Sequence, residues 1–461
     1  GWHGEGYRGH IFWDEAFIFP FYNIWNPEIT KSLLMYRYRR INAARKYARE
    51  NGYQGAMYPW QSADTGEEET QKIHYNPLSG EWDPDFSRLQ RHVSLSISYN
   101  IWEYFYLTND FDFLHNYGIE MMLEIARFWA SIAEYDKEDG RYHIRGVMGP
   151  DEFHEKYPDS TRSGIDDNAY TNIMTAWIMH KTIETYEYLP RKEKTRLRRK
   201  IGFTHKEIEN WQEIVSKLNV VITDDGIISQ FDRYMDLKEL DWDSYRKKYG
   251  NISRLDRILK AEGDSPDNYK LSKQADVLMI YYFLAPGQLK HILEIMGYDT
   301  GDELEFMKRN YDFYIKRTSH GSTLSDVVHS AILTYLNEHR RDMWNWFFTA
   351  LRSDIHDLQG GTTGEGIHTG LMGGTLDIIF KSFAGINLFK DRIRIEPVMP
   401  KHWKKLSFIM YHRKNWFQLE ITQDMIRVKG ETLPEGEKIG VEVQGRLQFL
   451  DNHHPLEIPY S

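Results

Sequence analysis

Apolar side chains recur every three to four positions through most of the chain. Val93, Ile97, Ile101 and Tyr104/Phe105 share one helical face, as do Ile119, Met122, Leu123, Ala126 and Ala130, and again Ile173, Ala176, Trp177, His180 and Ile183. Further helices are predicted over 275–284, 325–336, 341–351 and 369–383. The pattern predicts an all-helical body from about residue 27 to residue 388. Beyond it the period drops to two, in Ile393/Ile395, Phe417/Leu419/Ile421, Ile426/Val428 and Val441/Val443, with turns at 433–436 and 451–452. That alternation predicts a small antiparallel β domain.

Four of the segments joining the predicted helices are long and rich in Gly, Pro and aromatic residues: 52–64, 149–166, 318–322 and 359–368. Loops of this kind in a compact helical array are usually functional, so a shared mouth is expected.

Composition narrows the classes of function. The 461 residues carry a net charge of -10, which argues against nucleic-acid binding. The basic run 191–200 reads as a solvated helix face. Neither a membrane-spanning apolar run nor a signal-peptide pattern is present in the sequence, and a cytoplasmic location is expected. Cys is absent, which excludes disulfides and thiolate chemistry. His is thinly spread without metal spacing, so no metal is expected. Aromatic residues make up 15% of the chain, with 14 Trp and 30 Tyr, surfaces suited both to core packing and to sugar rings. The opening Gly1-Trp2-His3-Gly4 has no Met and reads as a fragment or a processed chain.

Candidate chemistry concentrates in the loops. Gly149-Pro150-Asp151-Glu152-Phe153-His154 places two carboxylates in a turn ahead of the helix that begins near Asn168. It reads either as a catalytic acid or as a polar loop feeding a helix cap. Trp13-Asp14 could grip a sugar, through a ring face and a bidentate carboxylate, or Asp14 could pair with Arg8 or His10. Trp60 lies in an aromatic-polar loop that would equally serve as a capped turn before Glu67-Glu68-Glu69. Lys273 and Gln274 open an apolar helix at an end that disfavours cations, so Lys273 wants an external partner or a pairing with Asp276. Two segments suit an anion: one around His320 and Ser322, the other 360–368 with Gly361, Thr362, Thr363 and Glu365.

Taken together, the motifs at 4–14, 55–66, 149–154 with 168–172, 273–276, 318–323 and 360–368 resemble, in order, those of glycoside hydrolase family 65. That family holds maltose, trehalose and kojibiose phosphorylases with some related α-glucosidases. The resemblance implies an (α/α)6 catalytic barrel over 1–388 and a jelly-roll-like β domain over 389–461. It implies inverting action on an α-glucoside, and the expected reaction is phosphorolysis of an α-linked glucosyl disaccharide to β-glucose 1-phosphate plus the acceptor sugar. Glu152 matches the general acid; Trp13, Asp14, Trp60, Lys273 and Gln274 match the glucose pocket. His320, Ser322, Gly361, Thr362 and Thr363 match the phosphate-docking region. No cofactor is expected beyond inorganic phosphate as co-substrate. The expected partners are a small disaccharide and phosphate, with a homodimer or a separate N-terminal domain as candidate protein partners.

Departures from the family pattern are the missing N-terminal β-sandwich and helical linker, Glu15 where Thr is usual, and an insertion-like 155–166 stretch. A hydrolase of the same family is the alternative, and would need a base about 6.5–9.5 Å from the acid, for which Glu365 is the candidate. A noncatalytic sugar-binding protein or a sugar epimerase is the alternative of another class.

Overall fold

The computed structural model describes residues 9–336, 340–358, 366–452 and 454–460. Six helices form a closed ring, each packed on the next: Glu15–Trp25, Val93–Thr108, Ala169–Tyr188, Asp276–Phe283, Leu324–Ile332 and Thr369–Ile378, the last returning to the first. Outer helices such as Pro27–Arg39, Ile119–Ile132, His205–Lys217, Glu303–Tyr314 and Arg340–His356 pack against the ring from outside. This is an (α/α)6 barrel, with one apolar core running through it.

The ring helices differ from ordinary amphipathic ones because neighbours cover nearly every face. In Val93–Thr108 the polar Ser94, Ser96, Ser98 and Asn100 are buried along with Val93, Ile97 and Ile101. The basic segment Arg191–Ile201, by contrast, is a helix that buries Leu197 and leaves most of its charges toward solvent.

Because outer helices carry the chain back between ring helices, the ring helices start at the same end. Their flanking residues Asp14, His92, Asn168, Ala275, Thr323 and His368 therefore gather at one mouth. Contacts across the mouth fix this. Trp13 meets His92 and Tyr170, Asn168 bonds to Asp276, and Asp14 meets His368. The positive ends of these helix dipoles thus face one space, which favours anions there.

The C-terminal part is a sandwich of two four-stranded sheets. One is antiparallel throughout, in the order Leu456–Pro459, Met425–Gly430, Asn415–Thr422, Lys405–His412. The other joins Ile386–Leu388, Arg392–Ile395, Ile439–Val443 and Arg446–Leu450, and here the sequence expectation is modified: Arg392–Ile395 and Ile439–Val443 run parallel. Alternation in a single strand carries no record of its neighbour's direction. The inward residues, among them Ile393, Ile395, Phe417, Leu419, Ile426, Val428, Val441 and Val443, form the sandwich core. The turn at Arg413 ties the sandwich to the barrel through a 2.7 Å bond from its amide to the Leu107 carbonyl.

Candidate active site

The Gly149–His154 loop is held by a clamp of buried polar groups. The Asp151 amide donates to Asp276 Oδ1 at 2.6 Å, and the other oxygen of Asp276 accepts from the Asn168 side chain at 2.6 Å. Asp151 in turn accepts from the Lys273 amide at 2.6 Å with Oδ1 and meets His154 Nδ1 at 2.7 Å with Oδ2. His154 Nε2 donates to the Tyr269 carbonyl at 3.0 Å. Burial alone would lower the His154 pKa, but the bond to Asp151 and its charge raise it above the ordinary value, toward the imidazolium. The carboxyl of Asp276 is pushed well up, first by burial and then by the neighbouring Asp151 charge.

Gly149 is required by this packing. A Cβ there would sit 1.9 Å from Asp276 Oδ2 and 2.4 Å from Asn168 Nδ2. The chain then enters the left-handed region at Glu152, with φ +64°, a conformation that costs a non-glycine residue energy and tends to persist where surroundings enforce it.

This geometry separates the two carboxylates. Asp151 is buried with both oxygens engaged in the clamp. The Glu152 side chain is partly exposed and lines a cleft of about 240 Å³. Its Oε2 lies 2.8 Å from Lys273 Nζ. The external partner that the sequence demanded for Lys273 is therefore Glu152, not Asp276. Gln274 serves the loop from beneath, donating to the Pro150 carbonyl at 2.7 Å.

Across the mouth, Trp13 and Trp60 are buried with ring centres 6.3 Å apart, and Trp60 reaches the cleft. Between them sits His92, which the sequence reading did not single out. Its imidazole is 4.8 Å from Trp13 and 5.2 Å from Trp60, and burial pushes its pKa down to about 3, so it is neutral. The backbone of the Trp60 loop is held by Glu68, which accepts from the Trp60 amide at 3.0 Å and the Gln61 amide at 3.3 Å, so the capped-turn reading describes the loop's support.

Asp14 has His368 Nε2 at 3.0 Å. The Leu371 amide donates to His368 Nδ1 at 3.0 Å, capping Thr369–Ile378 and leaving the proton on Nε2 to face Asp14. Burial works to raise the Asp14 carboxyl, yet His368 holds it below its ordinary value. Gly370 permits this approach, since a Cβ there would lie 2.7 Å from Asp14 Oδ1. The sequence marked His368 only as the end of a Gly-rich segment; a helix-capping His carries no local sign of a partner over 350 positions away.

The His320–Ser322 segment lies beside Lys273: the Gly321 amide donates to the Lys273 carbonyl at 3.2 Å, and Ser322 forms the turn before Leu324–Ile332. His320 has φ +54° and shares a 2.9 Å bond between Nδ1 and the Ser325 hydroxyl. Burial, with His329 nearby, lowers its pKa well below the usual range. Gly361, Thr362, Thr363 and Glu365 lie outside the described residues, as does Arg8.

The ring of six inner helices presents an acidic residue beside a cleft at its mouth. The chain belongs to glycosyl hydrolase family 65: residues 1–377 match the family's central catalytic domain and residues 386–449 its C-terminal domain. It is 44% identical over 461 residues, all of this chain and 34% of the relative, to an uncharacterized glycosyl hydrolase of Mycobacterium tuberculosis. It is 44% identical over 405 residues to the trehalose 6-phosphate phosphorylase of Lactococcus lactis, covering 88% of this chain and 51% of that one. A human-microbiome protein of solved structure, provisionally described as a kojibiose phosphorylase, superposes with a TM-score of 0.78 at 26% identity, over 99% of this chain and 61% of that one. The chain thus spans a third to about half the length of these curated relatives.

Proposed function

We propose that this chain is the catalytic part of an inverting phosphorylase that cleaves an α-linked glucosyl disaccharide into β-glucose 1-phosphate and a free sugar. The observation that carries this reading is the placement of Glu152: forced into the cleft by the Asp151–Asp276–Asn168 clamp and set against Lys273. In this reading Glu152, in its acid form, gives its proton to the glycosidic oxygen as the bond from that oxygen to glucose C1 breaks. A phosphate oxygen forms the new C1–O bond from the opposite face, and the configuration inverts.

Trp13 and Trp60 would pack on the glucosyl ring, with Asp14 accepting from its hydroxyls and Lys273 completing the pocket, while Gln274 supports it from beneath through the Pro150 carbonyl. Lys273 stands where a substrate oxygen can compete with Glu152 for the ammonium. Phosphate would dock among His320, Ser322, Gly361, Thr362 and Thr363, and the anion-favouring helix ends around the mouth support that placement. A phosphate nucleophile needs no carboxylate base, so in this reading Glu365 is not one. No cofactor beyond phosphate enters the scheme, and the relatives named for phosphorylases support it.

The test is product analysis on the full-length protein with maltose, trehalose, kojibiose, nigerose and trehalose 6-phosphate, with and without phosphate. Appearance of β-glucose 1-phosphate only when phosphate is present is the expected outcome. Glucose release that ignores phosphate would instead establish the hydrolase reading with Glu365 as base.

A further inference from the structure

The ring helices end opposite the mouth, and there the floor of the barrel meets the sandwich at a hollow of about 180 Å³. A buried aromatic layer separates the two ends: Phe283 packs on Trp13, Phe17 and Tyr99 at ring-centre distances of 6.4, 5.7 and 5.2 Å. Ring helices give the hollow Ile24, Leu107 and Phe283, and the first strand of the sandwich gives it Asn387. A smaller hollow of about 80 Å³ shares Tyr282, Tyr335, Asp377, Lys381 and Asn387 with it.

Charged groups stand where packing alone would place apolar ones. Lys381 is carried by the π-helical turn Ile379–Phe383, a kind of irregularity that frequently marks functional sites. Its ammonium lies 3.1 Å from Asp377 and 3.9 Å from Glu103. Burial works against that ammonium, yet Asp377 and then Glu103 raise its pKa above the ordinary value. Burial also pushes the carboxyls of Glu103 and Asp377 up. With one of the two protonated, the trio is neutral. The C-terminal ends of the ring helices lie on this side, and their dipoles disfavour anions. The cation they favour is supplied by the chain itself, as Lys381.

Two buried polar atoms remain open. Asp377 is only 5% exposed, and its Oδ1 has no hydrogen-bond partner among the described residues. The Tyr282 hydroxyl approaches Asp377 without meeting it in hydrogen-bonding geometry, so it too is unsatisfied. Leaving such atoms desolvated and unbonded is costly unless a ligand reaches them. Beside them, Trp102 and Tyr106 stack at 5.1 Å, one turn apart on Val93–Thr108, and Tyr335 is 37% exposed at the rim. Gln288 and Asn387, both exposed, bring amide donors and acceptors to the opening.

We propose that this floor hollow is a second sugar site, holding one neutral pyranose between the barrel and the sandwich. Sugar hydroxyls donate to Asp377 and accept from Lys381 and Tyr282, while the ring packs on the aromatic wall. The volume suits a single ring, being well below the roughly 300 Å³ at which pockets for larger ligands begin. The aromatic layer keeps the site apart from the mouth, and the proposal does not depend on the reaction there. Because Asn387 belongs to the sandwich, a sugar held here also stabilises the junction of the two parts.

The test is calorimetric titration of glucose into the full-length protein in phosphate-free buffer, which reads binding without turnover. One glucose at the mouth and one at the floor are expected. Asp377→Asn should weaken the floor molecule by about 10- to 100-fold and Asn387→Ala by about 3- to 10-fold, whereas Trp60→Ala should weaken only the molecule at the mouth. If Asp377→Asn does not fold, Asn387→Ala decides alone, since its side chain is exposed. A single glucose per chain, or sites that neither floor variant weakens, would overturn the proposal. So would loss of the same molecule in Trp60→Ala and in the floor variants. Glucose 6-phosphate binding at the floor as tightly as glucose would overturn the assignment to a neutral sugar.

Discussion

Lys273 grips the acid loop twice: its amide donates to Asp151 at 2.6 Å and its ammonium lies 2.8 Å from Glu152. One residue in the bend just ahead of a ring helix thus holds the structural carboxylate with its backbone and faces the candidate acid with its side chain. The neighbouring carboxylates are thereby assigned different work, and the difference is open to measurement.

Glu152→Gln keeps the side chain's size and its place against Lys273 but cannot donate an acidic proton. Turnover should fall by about 10² or more, while calorimetric binding of the sugar changes little. Loss of binding with no loss of turnover per bound substrate would remove Glu152 from the acid role.

Gly149→Ala forces a methyl group into the space of Asp276 Oδ2 and Asn168 Nδ2. The loop must shift, at an expected cost of about 1–3 kcal/mol in stability, and turnover should drop because Glu152 is displaced with it. Denaturant unfolding and initial rates check the two effects; a variant with wild-type rates would show that the clamp does not position the acid.

Beneath the mouth, Arg37 meets Glu15 with two bonds, 3.0 and 2.8 Å, both side chains being buried. Burial pushes the Glu15 carboxyl up, and Arg37 is its counterweight. Arg37→Met leaves Glu15 buried without it and should cost about 3–5 kcal/mol. The double variant Arg37→Met with Glu15→Gln should recover part of that loss, as urea unfolding would register.

The pH dependence of stability follows from His154 and His143, whose pKa values are both raised in the fold. For His154 burial opposes the rise and the Asp151 bond drives it; for His143 the bond to Asp167 is the largest cause. A raised folded pKa contributes stability that is fully present below the unfolded value of 6.5 and is lost as pH rises through the folded value. Tm should therefore decline from pH 6.5 upward, and His154→Gln should flatten that slope while lowering Tm at pH 6. An unchanged slope in the variant would exclude His154 as a source.

Much of the scaffold was legible in the chain because it rests on local periodicity. The 3.6-residue pattern in Val93–Thr108 and the two-residue pattern in Asn415–Thr422 each state which side chains turn inward. Ends were less legible: the helix expected to run over 369–383 is α-helical only to Ile378 and continues as a π-helical turn through Phe383. The acid loop stood out because two adjacent carboxylates in a Gly-Pro turn are charge that local packing does not ask for; the tertiary clamp supplies that reason for Asp151 and not for Glu152.

What the sequence could not hold were relations between distant residues. It marked Asp14 and Lys273 as wanting partners. Only the closed ring decided that these are His368 and Glu152, because it brings segments far apart in the chain to one mouth. Likewise His92 is an ordinary residue in sequence, and burial between two tryptophans makes it neutral. Periodicity is a property of neighbours along a chain, whereas charge pairing and desolvation depend on distance in space, which only the tertiary fold sets.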